Sequence, residues 1–431
     1  MIELINLFTL LWLSGCLLYA IVGLSKGSQH SINFVLIIFY IFYALPIGLD
    51  LFYAKPSYNS YPAFQLVTQD EETALIYCIF VSFIPLLWFW LGTSKKTIEQ
   101  QGKRNEISLV RRMLKPILII LMISPLFGWL FAPVPSVYLT YGAVPKHLLE
   151  TVEENIYNEL LLSLTLVSVL SVAILLLLRT RITAFSLIPY FPWIFLACWI
   201  NGKRAIVVLA LFLIFYVFWQ KSLLKGWRLW FIGCVFVIGI CLFSVWYQSF
   251  IRADFIETQS NEQRYEHLRV DLGRDDRLKT AIYAELHPET MRILEYRGQS
   301  MLFNAAIYVP RNIWPNKPWP YAVYMTSSIY MIPSTYLGWG VTTSWLDEMI
   351  ANLSWFGMLI GPLVIAWICR VGDSVRNIWI RPLTVMIACL FLAVQMAVFF
   401  PLFVVWLVLI GWYLLTGKRI NQSLIVEETQ L

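Results

Sequence analysis

The chain has 431 residues, of which 59% are hydrophobic and only 13% are charged, with a formal net charge of +6. A soluble globular domain carries roughly 25% charged residues, so a water-soluble protein is excluded, as are collagen-like, disordered and disulfide-scaffold chains. The basic residues lie between apolar runs instead of forming a patch, which argues against nucleic acid as a partner. What remains is an all-α polytopic membrane protein.

Apolar runs of roughly 17–25 residues are long enough to cross a bilayer as helices. Eleven such candidates occur in chain order: 4–24, 32–54, 73–93, 116–143, 158–178, 183–200, 205–220, 229–247, 349–369, 382–399 and 401–416. In the first, Leu13-Ser14-Gly15-Cys16 has the look of a lipoprotein cleavage box. No Lys or Arg precedes it and the apolar run continues through Leu24, so an uncleaved helix is expected. The run 116–143 carries Pro125, Pro133 and Pro135, so its second half is expected to be kinked or re-entrant. Between the last two runs no polar loop intervenes, and Pro401 alone marks a bend.

Charge sets an expected orientation. The 94–115 loop holds seven Lys and Arg. Alternating the helices from there places 18 basic residues in the loops on its side and 4 in the short loops opposite. The positive-inside rule makes the first side cytoplasmic, with the N-terminus outside and the C-terminus inside. The expected division is an N-terminal bundle of about eight helices at 1–247, an external loop at 248–348, C-terminal helices at 349–416 and a cytoplasmic tail at 417–431. Seven cysteines all fall in apolar stretches and four histidines are scattered, so neither structural disulfides nor a metal is expected.

The external loop of about 100 residues holds ten basic and twelve acidic side chains, and loops of that length usually carry function. Its charged first part, 252–297, is expected to form short surface helices. There Asp271, Asp275 and Asp276 alternate with Arg269, Arg274 and Arg277, a pattern read as a solvated salt-bridge network. Asp50, in the second apolar run, reads as an isolated acid near a helix end.

The second part is richer in chemistry. In Val309-Pro-Arg-Asn-Ile-Trp-Pro-Asn-Lys-Pro-Trp-Pro320, prolines are expected to hold Arg311, Lys317, Trp314 and Trp319 in a stiff extended segment. Cations so held suit a phosphate or pyrophosphate headgroup, and indoles suit the apolar face of a sugar. An interfacial aromatic belt anchored to lipid heads accounts for the same residues, and both readings stay open. Farther on, Asp347 and Glu348 stand at the expected outer entrance of the ninth helix, where the helix dipole favours carboxylates. Glu348 and Asn352, four apart, share a helix face, and Glu348 is a candidate general base. Arg204, in Asn201-Gly-Lys-Arg204, is either a headgroup anchor or a phosphate contact, and Arg252 has the same two readings.

Pro310-Arg311, Trp314-Pro315, Lys317-Pro318, Gly340, Thr342, Ser344, Glu348, Asn352 and Gly357 together resemble the oligosaccharide repeat-unit polymerases, the Wzy group. Gly202-x-Arg204 before a helix is similar to that family as well, as is the layout of many helices with one large late external loop. The resemblance implies a GT-C-like, metal-independent glycosyltransferase of the bacterial inner membrane, with no cofactor. Its donor and acceptor would be polyprenyl-pyrophosphate-linked oligosaccharides in the bilayer, with a chain-length regulator and a flippase as partners. It further implies pyrophosphate binding by Arg311, Arg204, Lys317 and Arg252. Catalysis would fall to Glu348 and Arg311, and sugar binding to Trp314, Trp319, Trp339 and Asn352. A polysaccharide ligase using the same donor lipid and a lipid-linked oligosaccharide flippase are the alternatives. A flippase is expected to line a cavity with charges inside its helices, whereas here nearly all charges fall in loops.

Overall fold

The computed structural model describes the chain except for residues 29, 94–103, 143, 145–147, 150, 180–181, 252–259, 335–339, 376–379 and 429–431. Among the described residues every regular element is helical. The chain opens with α1 (Ile2–Ser25), α2 (Ser31–Phe39), a π-turn at Tyr40–Ala44, α3 (Leu45–Phe52), α4 (Pro62–Gln69) and α5 (Glu71–Leu91). Then come α6 (Arg104–Leu130), α7 (Val152–Leu178), α8 (Phe191–Asn201), α9 (Arg204–Gln220) and α10 (Trp227–Ile251). Short helices follow: α11 (Asn261–Leu272), α12 (Asp275–Leu286), α13 (Gln299–Ala305), α14 (Tyr321–Tyr330) and α15 (Trp345–Leu353). The last three are α16 (Trp355–Ser374), α17 (Ile380–Ala393) and α18 (Met396–Glu428).

Among the described residues six stretches are long and apolar enough to cross a membrane: Ile2–Ser25, Ser31–Phe52, Glu71–Leu91, Ile156–Leu178, Trp355–Ser374 and Met396–Tyr413. Five shorter apolar helices accompany them among the described residues. This is a helical membrane protein.

Three boundaries differ from expectation. The run 116–143 is helical through Pro116 and Pro125 but stops at Leu130, giving way to a single 3-10 turn at Pro135–Tyr138. The ninth apolar run is two helices, because Ser354 turns the chain at φ 56 and α16 begins only at Trp355. Glu348 and Asn352 therefore ride on the separate helix α15. Finally, α18 runs straight through Pro401, and the break falls at Val394–Gln395. There Arg274 Nε donates to the carbonyl of Ala393 at 3.0 Å, and Gln395 Oε1 accepts the Ala322 N–H at 3.2 Å. The first bond satisfies a carbonyl that the break frees, a requirement of any break at membrane depth, and the second ties the Gln395 side chain to the start of α14.

By contact the chain forms two units: Met1–Leu24, Ser28–Glu99 and Gln259–Leu431, and, separately, Ser25–Gly27 with Gln100–Thr258. The grouping is spatial, whereas the division expected above follows chain order. In the first unit, Ser31 at the start of α2 bonds Asp373 at the end of α16 through its backbone N–H, at 2.9 Å, and its hydroxyl. At the other end of these helices, Tyr265 donates to the Ala54 carbonyl at 2.7 Å and the Ser60 N–H to Glu266 at 2.9 Å. Segment 54–61 and helix α11 thus share one face, and residues 31 and 373 share the other.

The π-turn has a cause that can be traced. Pro46 has no N–H for the carbonyl of Phe42, which instead accepts the backbone N–H of Arg274 at 3.1 Å. The Tyr43 carbonyl accepts the Tyr77 hydroxyl at 2.7 Å.

The Asp/Arg cluster is a network, but a buried one and not solvated. Arg269, Asp275, Asp276 and Arg277 are at most 1% exposed. Arg269 Nη2 lies 3.2 Å from both Asp50 and Asp275, and Lys279 lies 2.8 Å from Asp275. Tyr58 donates to Asp276. Asp50 is accordingly paired, not isolated. Arg274 and Arg277 bond backbone carbonyls, Arg277 that of Gly273, and lie over the rings of Phe42 and Phe64. Burial alone would raise the carboxyl of Asp275, but Arg269 and then Lys279 hold it below the usual range, whereas burial and Asp275 raise Asp276.

In the second unit, α7 packs against α6, α8 and α9. Gly202 ends α8 at φ 62, a left-handed position that glycine reaches without strain. Its carbonyl accepts the Tyr247 hydroxyl at 3.0 Å, and Asn201 donates to Thr165 at 2.7 Å.

Candidate functional site

Helix α15 owes its start to Ser344 and Asp347. Each bonds the other's backbone or side chain in a capping box, with the Ser344 N–H 2.9 Å from Asp347 Oδ1. Tyr43 donates to Ser344 Oγ at 2.7 Å, so α15 is fixed to the π-turn. The capping box accounts for Asp347 structurally. Glu348, one residue on, faces α13.

Glu348 Oε1 accepts from Ser300 at 2.9 Å and from Asn304 at 3.0 Å, while Oε2 has no hydrogen-bond partner among the described residues. Asn352 donates to Ser300 Oγ and to the Glu348 carbonyl, each at 2.7 Å. Glu348 is 1% exposed. Burial, with a contribution from Asp347 and against the interactions with Ser300, Asn304 and the Met396 backbone N–H, pushes its carboxyl up to about 7. Burial likewise pushes Asp347 up to about 6. A carboxyl near 7 exchanges its proton at neutral pH, which suits a general base.

The proline-rich segment is not extended. Its backbone makes turns, with the N–H groups of Ile313 and Trp314 returning to the Pro310 carbonyl at 3.0 and 3.1 Å. Arg311 draws it into a loop by donating to the carbonyls of Lys317 at 2.6 Å and Pro318 at 3.0 Å. The guanidinium lies 3.7 Å from the centre of the Trp319 ring. Lys317 donates to the carbonyls of Ile307 at 2.9 Å and Val309 at 3.1 Å, with its ammonium 4.8 Å from the Phe303 ring. Among the described residues neither cation has a carboxylate within 4.0 Å. Two cations held on backbone carbonyls without an acidic partner make a local positive field. Trp319 is 39% exposed and Trp314 half-buried.

Helix α13 and the turn after it join these two groups. Ser300 and Asn304 hold Glu348, while Phe303 and Ile307 hold Lys317. Ser300 and Asn304 are not among the expected residues, although a polar pair spaced i,i+4 within Gln299-Ser-Met-Leu-Phe-Asn304 is a usable signal.

Of the remaining expected residues, Arg204 belongs to the second unit, where its guanidinium lies 5.4 Å from the Tyr247 ring centre. Arg252 and Trp339 lie outside the described residues. No group of three or more His, Cys, Asp or Glu suited to a metal ion occurs among the described residues. No family model, curated protein or solved structure matches this chain.

Proposed function

We propose that this chain is a membrane-embedded glycosyltransferase that polymerises polyprenyl-pyrophosphate-linked oligosaccharide repeat units at the outer face of a bacterial cytoplasmic membrane. It would have about eleven spans in a GT-C-like arrangement, with the N-terminus outside and the C-terminus in the cytoplasm. The observation that carries this is the joining of Glu348 to the Arg311–Lys317 loop through α13.

A sugar hydroxyl of one lipid-linked unit attacks the anomeric carbon of the other, and polyprenyl pyrophosphate leaves. Negative charge grows on the departing pyrophosphate, and fixed cations stabilise such charge best when they need not reorganise. Arg311 and Lys317 are fixed in that way. The proton lost by the attacking hydroxyl passes to Glu348, whose Oε2 is the oxygen without a partner. Trp314 and Trp319 offer ring surface to sugars, Trp319 with one face already backed by Arg311. Asn352 positions Ser300 beneath the carboxylate. Arg204 keeps the phosphate-binding role that the family resemblance implies. Arg252 and Trp339 keep the roles that the family resemblance implies.

The test is a gel of surface and lipid-linked glycans from a strain lacking this gene, beside strains complemented with Glu348→Gln or Arg311→Ala. Single repeat units at the surface without longer chains, in the deletion and both variants, are expected. Long lipid-linked polymer that is never transferred would assign a ligase, and single units retained inside would assign a flippase. A normal ladder in the deletion strain would refute the glycan function.

A further inference from the structure

The buried ion network has two ends: it runs from Asp50 to Arg269, on through Asp275 and Asp276 side by side, and ends at Lys279. Its inner members are sealed, with the side chains of Arg269 and Asp275 at 0% exposure. Only the terminal groups reach open space, Asp50 at 15% and Lys279 at 11%. Both ends line the same cavity of about 510 Å³.

The rest of the cavity wall sets apolar surface from Ile2, Ile47, Pro56, Val67 and Ala74 beside polar and charged groups of both signs. Asn59, Gln65 and Gln69 contribute amides, and Asp70, Glu71 and Lys55 contribute charge. Three carboxylates against two ammonium groups leave no surplus positive charge for a phosphate. No metal-binding grouping of acids is present among the described residues. What such a wall recognises is a ligand dense in hydroxyls, each of which donates and accepts at once. Burying a chain of charges costs desolvation that hydrophobic packing would avoid. One return on that cost is geometric: the sealed interior fixes a carboxylate and an ammonium in one register, an acceptor and a donor set for neighbouring hydroxyls.

We infer that this cavity is a saccharide-binding site for a neutral or amino-sugar chain end, with Asp50 and Lys279 as its fixed acceptor and donor. Its lining comes from α1, α3, α4, α5 and α12 and shares no residue with the Glu348–Arg311 group, so it is a site additional to that one. The inference goes beyond the polymerase reading, and its test does not depend on that reading.

The experiment uses the full chain in lipid nanodiscs and a panel of soluble tetrasaccharides: neutral (maltotetraose), amino-sugar (chitotetraose and its de-acetylated form) and anionic (tetragalacturonate). Binding is followed by saturation-transfer NMR. At least one neutral or amino member is expected to bind, and tetragalacturonate at least tenfold more weakly. Gln65→Trp and Asn59→Trp, which fill the cavity from exposed positions and leave the ion chain intact, are expected to weaken that binding at least tenfold without lowering the melting temperature. Lys279→Met is expected to do the same where it folds. Three results would each overturn the inference: no panel member binds, tetragalacturonate binds best, or the filling variants bind as the parent does.

Discussion

Arg269→Met tests the buried network most directly. In the native chain Arg269 is fully buried and gives Asp50 and Asp275 their charge-assisted bonds, at 3.2–3.4 Å. Without it Asp275 and Asp276, both sealed, and the nearly buried Asp50 share one cation, Lys279. Removing one partner of a buried pair costs about 3–5 kcal/mol, because the orphaned charge stays in the interior. Asp50 and Asp275 share that one guanidinium, so their losses are coupled and do not simply add. At about 2–4 °C per kcal/mol the melting temperature should fall on the order of 10 °C. With the exposed Cys234 and half-buried Cys198 changed to Ser in parent and variant, a fluorogenic thiol dye in detergent reads this, since Cys78, Cys369 and Cys389 are free and buried and react on unfolding. The sign with pH follows from linkage. In the variant the carboxyls titrate above their unfolded value near 3.9, so the folded state binds more protons and stability falls as pH rises. The deficit should therefore shrink from pH 8 to pH 5, and Asp276→Asn added to Arg269→Met should recover part of it. A variant melting within about 2 °C of the parent, or a deficit that grows on acidification, would refute the reasoning.

Other predictions are independent of that network. Glu348 holds its proton up to about pH 7 against 4.5 for a free glutamate, so stability present below the unfolded value is lost as pH rises toward 7. Glu348→Gln should thus melt higher than the parent at pH 8 and equal to it at pH 4, while polymer yield in membranes falls about 10²–10⁴-fold; equal melting at pH 8 would oppose the burial argument. Parent yield should rise between pH 6 and pH 8 and then level, and a flat profile would count against Glu348 as base. Asp373→Ala removes both bonds to Ser31 and should cost about 1–3 kcal/mol in the same dye assay, with no change in melting as the adverse result. In Gly357→Ala the new Cβ would collide with the Met349 carbonyl oxygen, which should cost about 1–3 kcal/mol, whereas Gly411→Ala, with nothing within 4 Å, should be neutral.

What the sequence made legible follows from how local each cause is. Apolar runs announce helices because a span must satisfy its own backbone, and their positions agree with the helices within a few residues at most ends. Breaks are another matter. Pro401 marked a bend and lies inside α18, while the real break at Val394–Gln395 depends on Arg274 and Ala322, 119 and 73 residues from their partners. Ser354 carried no turn signal, and its positive φ is held by a bond from its N–H to the Ile350 carbonyl at 2.7 Å and by its hydroxyl on Glu285. The ionic character of 269–277 was readable, but its burial was not, because Asp50 stands 219 residues from Arg269. At the candidate site, i,i+4 spacing placed Glu348 and Asn352 on one face, and Ser300, 48 residues earlier, needed the fold.

The pairing of Asp50 with Arg269 also bears on how the protein is made. At about 5–20 residues per second, the 219 residues between them take on the order of 10–45 s to synthesise. Throughout that interval the first three spans exist without the guanidinium that neutralises Asp50, and Ser31 waits longer still for Asp373, 342 residues away. The first unit thus closes late, whereas the second unit's own residues are consecutive but for three. A ribosome pause or a truncation after α10 would strand α1–α5 with an unpaired carboxylate, a form suited to recognition by a membrane protease.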